Sequence, residues 1–342
     1  MKDIADHLGV SRQLVSLVLR GAEGPSAESR ERILTAARDL GYRPNASARL
    51  LRQGATRTIG VAFSLHNSFQ ADVVERMFAR AAEHGYTVVT EPRGPGRDTE
   101  TVTRELIEQR VEALAVFNPE PGTEVLDSAR SAVPVVLLGQ WSEDTTLDTV
   151  HVDERAGLRR VVDHLLALGH RQITYLGGAA GGTVGADRAE AYGEAMAAVG
   201  LEARADVVDA GFDEEAGASA ARSVLGRDEW PTAIVCGSDH AAAGALAVLA
   251  RAGVRVPEEM SVVGFDDNRL AELSYHQLTT VHQDVEETVD ATLSIMLDRL
   301  HGGHPPEEAT PGRAAREGRR QVTSARLVVR QSTASPRPRP TA

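Results

Sequence analysis

Residues 1–20 read MKDIADHLGVSRQLVSLVLR, and the spacing of their apolar side chains decides how the fold begins. Ile4, Ala5 and Leu8 share one face of a helix, while Val15 and Val18 stand three apart on the inner face of a second. Gly9 lies between them, where a residue without a Cβ can end a helix in the left-handed region. Val10 then leads to Ser11, a good N-cap. Two short helices around a tight glycine turn make a helix-turn-helix. The second helix turns Arg12, Gln13, Ser16 and Leu17 outward, and Arg and Gln near a helix N-terminus reach guanine and adenine edges in a major groove.

A third helix follows, capped by Ser26 or Ser29, with Ile33, Ala36, Ala37 and Leu40 on one face and Gly41 at its end. Tyr42-Arg43-Pro44-Asn45 then interrupts the chain, with Pro44 near a helix start. Residues 45–52, NASARLLR, allow a helix of eight residues with Arg49, Leu50, Leu51 and Arg52 on its outward face. That is too short to be stable alone, so it orders only against DNA or its twin.

KDIADHLGVSRQLVSLVL and SAESRERILTAARDLGYRPNASARLLR closely resemble the headpiece of the LacI/GalR family of bacterial repressors, over residues 2–52. The resemblance implies that Ser11, Arg12, Gln13, Ser16, Leu17 and Arg20 face operator DNA. It also implies that Asn45, Arg49, Leu51 and Arg52 belong to a hinge helix that pairs with its twin there. Leu51 would be the apolar wedge in the minor groove, unstacking a base step and kinking the duplex. Two departures stand out. Leu17 occupies a position where many members carry a base-reading arginine; it can touch a thymine methyl but cannot donate to guanine. The chain also begins at helix 1 without the usual Thr or Ser cap, as it would if the true start lay upstream.

The composition divides at the same place. The chain has 342 residues and a formal net charge of −12, yet residues 1–57 hold 10 basic and 6 acidic side chains, a small basic module ahead of an acidic body. Apolar residues make up 42% and charged residues 25%, a globular composition. No apolar run reaches the roughly 18 residues a membrane span needs, and the N-terminus lacks a signal peptide's apolar stretch. Cys236 is the single cysteine, which excludes an internal disulfide framework and a multi-cysteine zinc site. A cytoplasmic protein with no membrane partner is expected.

From residue 58, strands alternate with helices. TIGVAF (58–63), TVVT (87–90), ALAVF (113–117) and PVVLLG (134–139) form one set; QITYLGG (172–178), DVVDAG (206–211), TAIVCGS (232–238) and MSVVGFDD (260–267) form another. Repeated βαβ units predict two doubly wound parallel sheets, joined near 152 and 283, with ligands bound beyond the C-terminal strand ends. DHLLALGHRQITYLGG, the Arg188–Tyr192 stretch, AIVCGSDHAAAGAL, MSVVGFDD and LVVRQST resemble the effector domain of the same family, which shares its fold with periplasmic sugar-binding proteins.

The expected architecture is therefore an N-terminal all-α helix-turn-helix headpiece plus an α/β two-lobed, periplasmic-binding-protein-like effector domain. Residues 1–43 form the headpiece and 44–57 the hinge and linker. Residues 58–333 form the effector and dimerisation domain, with one lobe about 58–152 and 285–320 and the other about 153–284 and 321–333. Residues 302–321 read as a mobile surface insertion, and 334–342 as a disordered tail.

Candidate pocket residues follow from chemistry at strand ends. Arg188 opens a helix after the Gly177–Gly185 loop, and its guanidinium can fork onto two hydroxyls or a carboxylate. Asp266 ends the GFDD strand and can accept from vicinal sugar hydroxyls; a helix cap is the alternative, more so for Asp267. Ser238 resembles a ligand-facing position and Asp239 a cap. Phe69 and Phe212 can stack on a sugar ring or serve as core. Gln140 and Trp141 close the fourth strand, Trp141 as a weaker stacking candidate, and Asp153 reads as a crossover or cap residue. His164 and His170 read as helix-face and turn residues. GGAAGGTVG is neither GxGxxG nor a P-loop, and no GxSxG or HExxH appears. No catalytic group, metal or cofactor is therefore expected. The resulting expectation is a homodimeric repressor of a near-palindromic operator, governed by a small molecule in the cleft. A sugar is favoured, with a purine-like effector, or a sugar-binding protein without regulation, as alternatives.

Overall fold

In the computed structural model, residues 2–19, 24–41, 55–120, 126–178, 182–302 and 317–337 are described. They fall into two units divided after Thr56.

The first unit holds α1 (Lys2–Leu8), α2 (Arg12–Leu19) and α3 (Ala27–Asp39). Gly9 has φ 65°, so the chain turns where a side chain would be strained. Ser11 Oγ accepts from Leu14 N at 3.1 Å, and Ser26 Oγ accepts from Ser29 N at 3.2 Å to cap α3. Ile4, Ala5, Val15, Val18, Ile33, Ala36 and Ala37 make the core. Leu40, expected on that inner face, is 46% exposed: it follows the last turn of α3 and has rotated off the buried stripe.

The second unit contains two six-stranded sheets. The first runs β11-β5-β4-β3-β1-β2, built from β1 (Thr58–Ser64), β2 (Thr87–Arg93), β3 (Ala113–Phe117), β4 (Val135–Leu138), β5 (Asp148–Val152) and β11 (Arg320–Thr323). Its pairings are all parallel; Ile59, for example, stands opposite Val88 and Ala113. Every residue of β3, β4 and β5 is buried, as expected for strands covered on both faces. On one face lie α4 (Ser68–Glu83) and α12 (Val285–His301), packing Val73, Met77, Leu293 and Met296 onto the strands. On the other lie α5 (Thr99–Glu108) and α6 (Asp127–Ala132), through Val102, Leu106 and Ala129.

The second sheet runs β12-β10-β9-β8-β6-β7, from β6 (Ile173–Leu176), β7 (Asp206–Val208), β8 (Ala233–Cys236), β9 (Ser261–Asp266), β10 (Thr279–Gln283) and β12 (Ala325–Val328). Helices α7 (Glu154–Leu168) and α8 (Gly182–Ala197) cover one face. Helices α9 (Glu214–Leu225), α10 (Asp239–Arg251) and α11 (Arg269–Glu272) cover the other. The sheet is parallel, as expected, apart from one edge, where β12 pairs antiparallel with β10. The cause is a third crossing. After β11 the chain passes through Ser324 directly into β12, so β12 enters the second sheet at the C-terminal end of β10, with Ala325 opposite Gln283, and runs against it.

Three further corrections follow. Gln321–Thr323, placed by expectation in the second lobe, belongs to the first sheet. The last part of the 302–321 insertion is docked: Arg319 N donates to Asp148 Oδ1 at 2.8 Å, and Arg320 begins β11; residues 303–316 lie outside the described residues. The tail is anchored at its start, since Ala334 N donates to Ser261 Oγ at 3.0 Å and Ala334 O accepts from the Ser261 hydroxyl at 3.1 Å. His170 Nε2 lies 2.9 Å from the same carbonyl, and His164 Nε2 lies 3.0 Å from Thr333 Oγ1, so both histidines hold the C-terminal segment.

Candidate functional site

In the first unit, Arg12 and Gln13 stand exposed at the start of α2, opposite buried Val15 and Val18. Ser16 and Leu17 are half-buried one turn on. The Ser11 hydroxyl serves as the cap. Arg12 and Gln13 thus project from a rigid frame, while Leu17 presents an apolar patch beside them. Arg20, Asn45, Arg49, Leu51 and Arg52 lie outside the described residues.

In the second unit, the strand order reverses between β1 and β3 in one sheet and between β6 and β8 in the other. Ligands bind at such switch points, beyond the C-terminal strand ends. A cavity of about 20 Å³, enough for a water-sized sphere, lies among Phe69, Asn118, Arg188, Phe212, Asp266 and Gln283. Phe69 is at the start of α4, where Asn67 Oδ1 caps the helix by accepting from Gln70 N at 3.0 Å. Asn118 and Asp266 follow or end strands with φ 37° and 119°, and Asp267 has φ 57°. Non-glycine residues held there store roughly 1–3 kcal/mol each and cluster at functional sites.

Arg188 is 5% exposed and central. It lies in the second turn of α8, not at the helix start, because the helix already begins at Gly182. Its Nη1 donates to Gly237 O at 2.7 Å, and the guanidinium rests 3.8 Å from the Phe265 ring centroid and 5.5 Å from that of Phe212. Asp266 Oδ1 is 3.6 Å from Nη1, and Glu154 Oε1 is 3.6 Å from Nε. Asp266 also accepts from Gln283 Nε2 at 2.6 Å.

Two expected pocket residues lie elsewhere. Ser238 does not line the cavity: its Oγ donates to Phe212 O and accepts from Ala241 N, capping α10. Asp239, expected to be that cap, is instead buried and accepts from Asn268 N and the Thr280 hydroxyl. Ser238 rather than Asp239 is the cap because the cap must precede the first helical residue. Gln140 is buried with Oε1 unpartnered, and the preceding Gly139 takes its place in the wall. Asp267 is no cap either; it accepts from Arg330 and pairs with His282. Asp153 does cap α7. Trp141 belongs to a separate groove of about 620 Å³, with Arg320 stacked 4.4 Å from its centroid. Asn118, whose buried Oδ1 has no partner, and Gln283 were missed; Asn118 directly follows the legible strand ALAVF, a signal that finds it, whereas Gln283 ends a strand that the sequence did not reveal.

Burial raises the Glu154 carboxyl from 4.5 to about 7, against the pull of Arg188. Burial raises Asp266 to about 6, and burial with repulsion from Asp266 raises Asp239 well above the carboxylate range. A carboxyl whose folded pKa is raised binds more protons folded than unfolded. Its stabilising share is complete below about pH 4.5 and is lost as pH rises through about 7. Glu154→Gln mimics the protonated form. It is expected to flatten the stability loss across that window and to exceed the parent by roughly 2–3 kcal/mol at pH 8. Urea unfolding at several pH values reads this; equal stabilities at pH 8 would refute it.

Residues 1–45 match the bacterial regulatory proteins of the lacI family, and residues 162–333 match the periplasmic binding protein-like domain. Over 308 residues the chain is 30% identical to the HTH-type transcriptional repressor PurR of Salmonella paratyphi A, covering 88% of this chain and 90% of that one. It is similar to the lac repressor dimer bound to operator and the anti-inducer ONPF (TM-score 0.81, 27% identity, 97% of this chain and 98% of that one). It is also similar to the transcriptional regulator CelR in complex with cellobiose (TM-score 0.70, 28% identity, 96% and 98%).

Proposed function

The chain belongs to the lacI family of bacterial regulatory proteins, DNA-binding transcriptional repressors with an effector-binding domain, and from that premise we propose that its effector is a sugar bound between the two sheets. The observation that carries this is the strained Asp266, fixed by Arg188 and Gln283 where the strand ends converge. A carboxylate and a guanidinium side by side accept from and donate to neighbouring hydroxyls, the pattern of a polyol. Phe69 and Phe212 supply faces for the ring's C–H side. The similarity to a regulator complexed with cellobiose supports the same class.

On the DNA side, Arg12, Gln13, Ser16 and Leu17 read base edges, with Ser11 holding the helix start. Arg20 adds to that surface, and Asn45, Arg49, Leu51 and Arg52 contribute along the hinge. Residues 1–43 form the reading module, 44–57 the hinge, and 58–333 the effector and dimerisation body. A homodimer presents two modules to two half-sites, matching operator symmetry. The effector acts by binding the two states of the body with different affinity; a coupling of about 1–3 kcal/mol is typical.

Fluorescence anisotropy tests both halves on a duplex enriched from a random-sequence pool. Affinity should fall steeply with salt as phosphate counterions are released, and a panel of neutral mono- and disaccharides, with nucleobases alongside, should contain one member that shifts it. Arg188→Ala should abolish that shift and spare DNA binding. A nucleobase as the active member replaces the sugar; an undiminished response in Arg188→Ala removes Arg188 from the site.

A further inference from the structure

Arg188 is the only cationic side chain among the described residues that line the cavity; its Nη1 is taken by Gly237 O, while its buried Nε has no hydrogen bond. Asp266 and Glu154 each approach it at 3.6 Å. Glu154 does not itself line the cavity. It is the first residue of α7, immediately after the crossing from the first sheet to the second, and its side chain is 12% exposed. Asp266 is explained by the effector site; Glu154 is not.

We propose that Glu154 acts through Arg188 as a charge-setting residue, so that the pocket refuses phosphorylated or carboxylated ligands and admits only the uncharged or amine-bearing form of its effector. This rests on the effector reading above and narrows it. At pH 8 the two carboxylates over-neutralise one guanidinium; Asp239, behind Asp266, is held in its neutral form by burial and by Asp266 and adds no positive charge. An anion in the cavity would lie beside Asp266 and face a guanidinium whose charge Glu154 already offsets at Nε, whereas a neutral hydroxyl meets an acceptor it can donate to.

The surroundings reinforce the sign. On its far side, Glu154 borders the 620 Å³ groove, whose walls add Glu143, Asp153, Asp187 and Glu190. Arg155 in that wall is engaged by Glu190 and Glu194, and Arg320 lies on Trp141. Asp187, next to Arg188 on α8, has its carboxyl raised by burial and by Glu190. From β5, burial lowers His151 toward the neutral imidazole. From β6, burial raises the Tyr175 phenol, keeping it neutral. An anion approaching Arg188 from this side therefore meets surplus negative charge.

Equilibrium dialysis of the full chain against labelled sulfate at low ionic strength tests this without DNA or effector; sulfate keeps its charge between pH 6 and 8. Binding to Arg188→Gln is subtracted as the contribution of other sites. At pH 8 the parent should show no Arg188-dependent sulfate. Glu154→Gln should bind one equivalent at least about tenfold tighter, and the double variant with Arg188→Gln should lose it. Glu154→Asp should restore refusal, which a merely structural role would not predict. The parent should gain Arg188-dependent sulfate as pH falls from 8 to about 6.5, below the value of about 7 for Glu154 and above that of about 6 for Asp266, and this arm stands even if the variant fails to fold. Arg188-dependent sulfate on the parent at pH 8, or a folded Glu154→Gln as blind to sulfate as the parent, would overturn the proposal. Failure of the effector reading shows separately, as an anisotropy response that no small molecule alters.

Discussion

Gly244→Ala is expected to destabilise the second unit by about 3 kcal/mol, even though alanine is the better helix former by roughly 1 kcal/mol. Helices α9 and α10 cross through two glycines. A Cβ on Gly244 would overlap the Glu214 carbonyl oxygen and lie 2.7 Å from its carbon; one on Gly217 would overlap the Ala241 carbonyl and lie 2.6 Å from Ala241 Cα. Both obstacles are backbone, so no side chain can swing away and the helices must separate. Separation opens a core that packs Ala220, Ala221, Val224, Ala241, Ala242 and Ala245, and packing lost there adds to the clash. Gly193 provides the control. It sits in α8 with nothing within 4 Å of a built Cβ, so Gly193→Ala should be neutral or slightly stabilising. Thermal unfolding followed by circular dichroism should show Gly244→Ala roughly 6–12 °C below Gly193→Ala. Equal midpoints would mean that the helices yield without cost. The effect reaches the pocket, because α10 begins with Asp239 behind Asp266.

The same crossing shows what was legible in the sequence and what was not. The strands that could be read, such as Ala113–Phe117 and Ser261–Asp266, are buried on both faces and almost purely apolar. The three that escaped, Asp148–Val152, Thr279–Gln283 and Arg320–Thr323, carry His, Gln, Thr or Arg. Some of their polar groups meet distant partners: the Asp148 carboxylate accepts from Arg299 and the Thr279 hydroxyl accepts from Arg330 N at 3.0 Å, while Thr149 Oγ1, His151 Nδ1 and Arg320 Nη2 are buried with no hydrogen bond. Such pairings have no local signature. These strands also carry the crossings between sheets, so missing them misplaced the boundary near Ser324. In the pocket, Asp266 was legible as a charged residue at a strand end and Arg188 as a charged residue shortly after the glycine-rich loop, although it lies one turn deeper in the helix than its spacing suggested; the aromatic pair was legible from its position near those ends. The exchange of Ser238 and Asp239 was not legible. Either residue caps a helix well, and only the burial of Asp239 against Asn268 and Thr280 decides between them. Glu154 reads locally as an ordinary first-turn acid; its role depends on Arg188, 34 positions away in sequence.

Val15→Asp should abolish specific DNA binding while leaving the second unit untouched. Val15 is 0% exposed, in a core of seven buried side chains, three of them alanine. A domain of this size buries too little apolar surface to hold much stability in reserve, and single cores below about 70 residues rarely supply more than about 3–5 kcal/mol. An unpaired carboxylate placed there costs an amount of the same order or larger, whether it stays charged or takes up a proton. The balance therefore crosses zero and the three helices come apart. Arg12 and Gln13 then lose the frame that aims them at base edges, and affinity for the selected duplex should fall by at least about a thousandfold, to the non-specific level. Arg12→Ala makes the contrast. It removes an exposed side chain without disturbing the core, so the fold persists and affinity drops by about 1–3 kcal/mol. Because the two units are separate, the main thermal transition should stay within a degree or so of the parent in both variants. A Val15→Asp protein that still bound the selected duplex with parental affinity would show that recognition does not depend on the packing of these helices. A main transition shifted by several degrees would show that the headpiece core also supports the body.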